Sequence, residues 1–174
     1  SRKDAWAIDH AAQLNILELT QRLGVKRFIL LSAICVQNPK LPFQFAKLAF
    51  ERALIESGLT YCIVRPTAFF KSLSGQIPRL REGKAFLVFG NGELTACKPI
   101  SDDDLGNFMV GCITDPARYN KILPIGGPGP AITPRDQAQA LFALLERPMK
   151  LRQVPVALLR IICAGLRLAG VVFP

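Results

Sequence analysis

Ser32 closes the apolar run Arg27-Phe28-Ile29-Leu30-Leu31, and Lys47 follows after a short excursion through Pro42. A second apolar run, Tyr61-Cys62-Ile63-Val64, ends at Arg65-Pro66-Thr67. Ligands of open parallel sheets bind outside the carboxyl ends of the strands. A strand–loop–helix excursion brings Ser32 and Lys47 to one crevice, and Arg65-Pro66-Thr67 ends at the same rim. A hydroxyl and an ammonium there are groups that hold a ligand or exchange a proton. Taken singly, Ser32 also suits a turn cap, Lys47 a solvated helix face and Pro66 a strand stop. Their convergence is what singles them out.

The elements that must position these residues follow from periodicity and punctuation. Asp9 to Arg22 is amphipathic, with Ala12, Ile16, Leu19 and Leu23 at helical spacing and Gly24 as a stop. Arg27 to Ser32 suits a strand buried on both faces. Pro42 to Ser57 reads as a helix with proline in its first turn, an apolar face of Phe45, Leu48, Ala49 and Ala53, and Gly58 at its end. Tyr61 to Arg65 is the next buried strand. Helices and strands alternating over short connections predict a parallel sheet.

The second half is less regular. A short helix is expected over Gln76–Glu82, a strand over Ala85–Phe89, a turn at Gly90-Asn91-Gly92 and a brief strand over Cys97–Ile100. Ser101 starts a helix to about Ile113, Ile122–Ile125 forms a strand, and Thr133 caps a helix running to Glu146. The segment 154–174 is an apolar helical tail with Arg160 and Arg167 on one face. Two arginines and two glycines argue against a bilayer span, so it is expected to pack on protein or to lie on a membrane surface.

The chain has 174 residues, half of them apolar and a fifth charged, which excludes a disordered chain, a collagen or a coiled coil. Its five cysteines form no C-x-x-C pair and it has one histidine, so no metal site is expected. The net charge of +9 is scattered, and two tyrosines with one tryptophan supply little for base stacking. No nucleic-acid partner is expected.

Ser32, then Phe43-Gln44-Phe45-Ala46-Lys47, then Val64-Arg65-Pro66-Thr67 resembles the catalytic half of the short-chain dehydrogenase/reductase superfamily, in its atypical, NmrA-like branch. There a serine at a strand end precedes Tyr-x-x-x-Lys, and a later strand ends in Arg-Pro. Phe43 occupies the tyrosine position here and has no hydroxyl with which to exchange a proton. Longer strings are more specific: Leu30-Leu31-Ser32-Ala33-Ile34-Cys35-Val36-Gln37, the run from Ile63 to Leu73, and Ala96-Cys97-Lys98-Pro99-Ile100-Ser101. These resemble the family of divinyl chlorophyllide a 8-vinyl-reductases. The implied fold is α/β, the C-terminal part of a Rossmann-like doubly wound parallel sheet with a small substrate-binding lobe.

The resemblance implies NADPH-dependent reduction of the 8-vinyl group of divinyl chlorophyllide, or protochlorophyllide, to ethyl in chlorophyll biosynthesis. It implies a catalytic Lys47, which also binds the nicotinamide ribose, and a Ser32 that positions nicotinamide or substrate. Pro66 and Thr67 border the carboxamide, and Phe43, Phe69 and Phe70 form a flat wall for the macrocycle. Lys71 or another exposed cation meets the propionate. The implied location is the chloroplast in a eukaryote, and the cytoplasm or a membrane surface in a bacterium. The whole of 1–174 is then a partial reductase domain whose first βαβ units and glycine-rich loop lie upstream, and the piece alone is expected to be inactive. The alternatives are a non-catalytic NAD(P)-binding regulator or photosynthetic assembly factor of the same superfamily, and a reductase of another conjugated alkene.

Overall fold

A computed structural model describes residues 2–168, with side chains described to residue 166. In chain order the elements are α1 (Arg2–Trp6), a π-helical turn (Ala7–Ala12), α2 (Gln13–Arg22), β1 (Arg27–Leu31), α3 (Pro42–Glu56), β2 (Thr60–Pro66), α4 (Phe70–Leu73) and α5 (Ile77–Arg81). There follow β3 (Phe86–Phe89), α6 (Asp102–Thr114), β4 (Lys121–Ile125), α7 (Pro134–Leu144), β5 (Leu151–Val154) and α8 (Val156–Leu168). Contacts gather them into two units, one built on residues up to 67 with 102–126, the other on 68–101 with 127 onward.

The first unit is a parallel sheet in the order β1-β2-β4. Leu30 lies opposite Ile63, and Val64 opposite Leu123. Successive strand residues point to opposite faces. Ile63 packs with Phe50 and Leu54 of α3 and Leu17 of α2, whereas the Cys62 thiol meets the Cys112 carbonyl of α6 at 3.7 Å. Helices therefore cover both faces, the doubly wound arrangement expected. Pro42 opens α3, and the Gln44 side-chain oxygen accepts from the Lys40 and Leu41 amides at 2.6 and 2.9 Å. Gly58, at φ 78°, turns the chain from α3 into β2.

Which helix face turns inward differs from the expectation. Ile16, Leu19 and Leu23 are 48%, 51% and 70% exposed, while Leu17 is buried beside the half-buried Leu14. On α3, Ala46, Phe50 and Leu54 face the core and Phe45 faces out. Both helices carry apolar residues on more than one side, so spacing alone leaves two admissible stripes.

In the second unit β3 and β5 pair in parallel, and α7 packs on β3 around Leu80, Phe86, Val88, Ala138 and Phe142. Thr133 and Asp136 cap α7 reciprocally: Thr133 Oγ1 accepts from the Asp136 amide at 3.1 Å, and the Asp136 carboxylate accepts from the Thr133 amide at 2.9 Å. The expected strand over 97–100 reduces to single bridges, Cys97 to Ile132 and Ile100 to Phe69. The tail expected from Val154 begins later, because Val154 completes β5 and α8 starts at Val156. Leu158, Ile161 and Ile162 of α8 are exposed. No helix among the described residues is long and apolar enough to cross a membrane. The Arg167 side chain and residues 169–174 of the expected tail lie outside the described residues.

Candidate active site

Ser32 is the residue after β1. Its amide donates to the Val64 carbonyl at 2.7 Å, so the backbone stays in register with β2 one position beyond the strand. Its hydroxyl donates to Oε1 of Glu51 on α3. The same carboxylate takes both arms of Arg65, Nε at 3.1 Å to Oε1 and Nη2 to Oε2. Ser32, Glu51 and Arg65 are buried, Glu51 to 1% exposure. Arg65 is the charged residue of a strand whose neighbours Cys62, Ile63 and Val64 are fully covered. A guanidinium does not lose its proton, so in that setting it requires a counter-charge. Glu51 supplies it in a two-pronged, charge-assisted geometry.

Lys47, one helical turn before Glu51, reaches the other way. Its Nζ lies 2.9 Å from Asp9 Oδ1, with both side chains about a quarter exposed. Asp9 sits within the π-helical turn, a distortion that recurs at functional sites. Asp9, Gln13, Leu31, Ser32, Lys47 and Phe50 line a cavity of about 30 Å³. That is enough for a bridging water with polar partners on several sides. The ion pair uses one of three Lys47 N–H groups. The cavity thus offers an acceptor at Ser32, donors at Lys47 and room for a water.

The other expected residues are placed as follows. Pro66 ends β2 opposite Ile125, and the Thr67 amide donates to the Ile125 carbonyl at 2.9 Å. Phe43 is half-buried on the first turn of α3 in the first unit. Phe69 is half-buried and Phe70 is 53% exposed, both in the second unit, where Lys71 is exposed too. The second unit also holds an apolar pocket of about 480 Å³, lined by Leu73, Phe86, Val88, Phe89 and Leu159 among others. Its size is in the range of small-molecule sites.

Sequence reasoning missed Glu51 and Asp9. A signal for Glu51 was present: an arginine in a strand buried on both faces demands an acid on the helix that covers it. Asp9 had none, since its approach to Lys47 depends on how the first helix lies against α3.

The sequence profile of the NAD(P)H-binding family matches residues 2–116. The chain is 47% identical to the chloroplastic divinyl chlorophyllide a 8-vinyl-reductase of Arabidopsis thaliana, over 99% of this chain and 43% of that protein. It is 50% identical to the protein of that name from Oryza sativa subsp. indica, over 88% of this chain and 39% of that one. The chain spans about two fifths of the length of these relatives. A solved UDP-glucose 4-epimerase from Thermotoga maritima, with UDP-glucose, aligns at a TM-score of 0.77 and 19% identity, over 89% of this chain and 59% of that one. This last likeness is one of fold, and the fold is Rossmann-like.

Proposed function

We propose that this chain, which belongs to the NAD(P)H-binding family, forms the catalytic part of a chloroplast enzyme that reduces the 8-vinyl group of divinyl chlorophyllide to ethyl with NADPH. The observation that carries the reading is one cavity taking Ser32 and Lys47 together, while the residue four before the lysine is Phe43. The polar groups present fit a nicotinamide nucleotide. Ser32 points its hydroxyl hydrogen at Glu51 and presents lone pairs, which suit the amide hydrogens of a carboxamide. The N–H groups that Lys47 does not use on Asp9 suit ribose hydroxyls.

When bound, the nicotinamide supplies a hydride for the terminal vinyl carbon, and the resulting charge spreads into the macrocycle. No oxyanion then has to be protonated, which accords with the phenylalanine at position 43. Lys47 Nζ, directly or through a water in the cavity, holds the proton due at the second carbon. Asp9 orients that ammonium. The backbone at Pro66 and Thr67 borders the carboxamide. Phe43, on the same helix as Lys47, offers a flat apolar face to the pigment.

The test uses the whole protein, NADPH and divinyl chlorophyllide, followed by the absorption change of the pigment. Lys47→Ala is expected to lower turnover by roughly 10²–10⁴-fold, the usual worth of an acid–base group. Phe43→Tyr adds a hydroxyl with no oxyanion to serve and is expected to lose far less. Equal losses in the two variants would remove the role given to Lys47. Uptake of NADPH without consumption on adding pigment would point instead to a non-catalytic regulator.

A further inference from the structure

The outward face of α3 borders a groove that the Ser32–Lys47 cavity does not use. Residues three and four apart share one face of a helix. Phe45, Leu48 and Arg52 therefore lie together, while Lys47, Glu51 and Leu54 lie together on the opposite side. The outward face and Trp6 of α1 line a cavity of about 600 Å³, together with Arg2 and Lys40. That volume is in the range of small-molecule sites.

The chemistry of this groove is one-sided. Trp6 and Phe45 are 37% and 47% exposed, so two aromatic faces remain partly in water. Three cations line the groove, Arg2, Lys40 and Arg52, and no acid does. None of the three takes part in an ion pair among the described residues. The rings suit a flat apolar body, and the cations suit a carboxylate. A polyphosphate finds the charges without using the rings, and a neutral hydrocarbon uses the rings without the charges. A flat apolar molecule with an acidic edge uses both.

We propose that this groove is a second, non-catalytic binding site for a flat, carboxylate-bearing pigment. The body of α3, about 10–12 Å across, separates a ligand held there from Lys47, so that lysine passes it no proton. The groove keeps one pigment molecule on the protein while the Ser32–Lys47 site handles another. The name of the ligand rests on the reductase reading. The requirement for a flat apolar anion rests on the groove alone.

The experiment titrates the whole protein, saturated with NADP⁺, with the 8-ethyl product pigment and counts sites by pigment fluorescence. The product has no 8-vinyl group left to reduce, so no turnover intervenes. Two sites per chain are expected. Arg52→Gln with Lys40→Gln is expected to weaken one of them by roughly three- to tenfold, the scale of two ion pairs open to water. Both cations are exposed, so this variant disturbs no core packing. Trp6→Ala is expected to weaken the same site, and methyl esterification of the pigment's carboxylate to mimic the charge variant there. NADP⁺ affinity and the other pigment site are expected to stay unchanged. A single pigment site, unaltered in both variants, overturns the second site and spares the reductase reading. NADP⁺ binding with no pigment bound overturns the reductase reading, and this inference with it. Sedimentation without pigment gives the remaining outcome: a dimer that these variants dissociate shows a second copy in the groove, which also overturns the proposal.

Discussion

Glu51→Ala strips the counter-charge from a guanidinium that has almost no contact with water. Arg65 is 8% exposed and Glu51 1%, so solvent does little to screen the loss. Removing one partner of a buried pair costs about 3–5 kcal/mol. The Ser32 hydroxyl also loses its acceptor, worth about 0.5–1.5 kcal/mol. The sum, about 3.5–6.5 kcal/mol, is a large share of the 5–15 kcal/mol by which folded domains are stable. With a urea m-value near 2 kcal/mol/M, the unfolding midpoint is expected to fall by about 2 M or more. Urea titration followed by circular dichroism reads this directly. The second arm is Glu51→Leu with Arg65→Met, which removes both charges and keeps the volume filled. Such replacements are often neutral or stabilising, so the double variant is expected to recover most of the loss. A shift below about 0.3 M for Glu51→Ala, or a double variant as unstable as the single, would refute a buried, mutually dependent pair.

The five cysteines are expected to alkylate in order of exposure at pH 8, with Cys163 first and the buried Cys62 and Cys112 last. Burial, followed by the neighbouring Cys112, pushes the Cys62 thiol up to about 11, so thiolate is scarce there; mass-resolved labelling that finds Cys62 as fast as Cys163 would refute this. Hydrogen bonds from Thr133 hold the Asp136 carboxyl below its ordinary value. Its stabilising effect on the start of α7 is thus present above the ordinary carboxylate range and is lost as pH falls through the lowered value. Asp136→Asn is expected to flatten that part of the acid limb in a pH series of thermal melts, and an unchanged limb would count against the cap. The segment 147–174 carries five cations and no acid, and α8 exposes Leu158, Ile161 and Ile162. Peripheral attachment to anionic vesicles is expected, with each arginine contributing about 1 kcal/mol. High salt should release the protein, and Arg160→Glu with Arg167→Glu should weaken retention; protein that stays in the supernatant whatever the variant would mean that α8 packs on protein.

Much of the fold was readable because its signals are local. Pro42, Gly58, Thr133 and Pro134 mark helix ends through their own backbone preferences, and the apolar runs at 28–31 and 61–64 name strands without reference to the rest of the chain; β2 is buried from Cys62 on, whereas β1, expected to be buried on both faces, is only half-buried and ends on an exposed Leu31. The placement of Ser32 at one strand end and Pro66 at the next follows from those boundaries. The Phe43-Gln44-Phe45-Ala46-Lys47 spacing likewise put Lys47 on the early turns of a helix. Facing was not local. Ile16, Leu19 and Leu23 satisfy helical spacing as well as Leu14 and Leu17 do, and packing against Phe50 and Leu54 of α3 chose between them. β5 is four residues with two polar ones, and it becomes a strand only because β3 offers an edge to pair with.

The same division runs through the site. The residue types at 32, 47 and 65 are sequence properties, and with them the capacity to hold a proton or a ligand. Which of those capacities remains in use is decided by partners distant along the chain. Lys47 meets Asp9 across 38 positions, and Ser32 meets Glu51 across 19. Glu51 engages the one hydroxyl hydrogen of the serine, and Arg65, buried 14 residues further on, holds that carboxylate in place. A hydrogen bond has a direction, and that direction is set by the neighbour's chemistry, which exists only once α3 lies across the sheet.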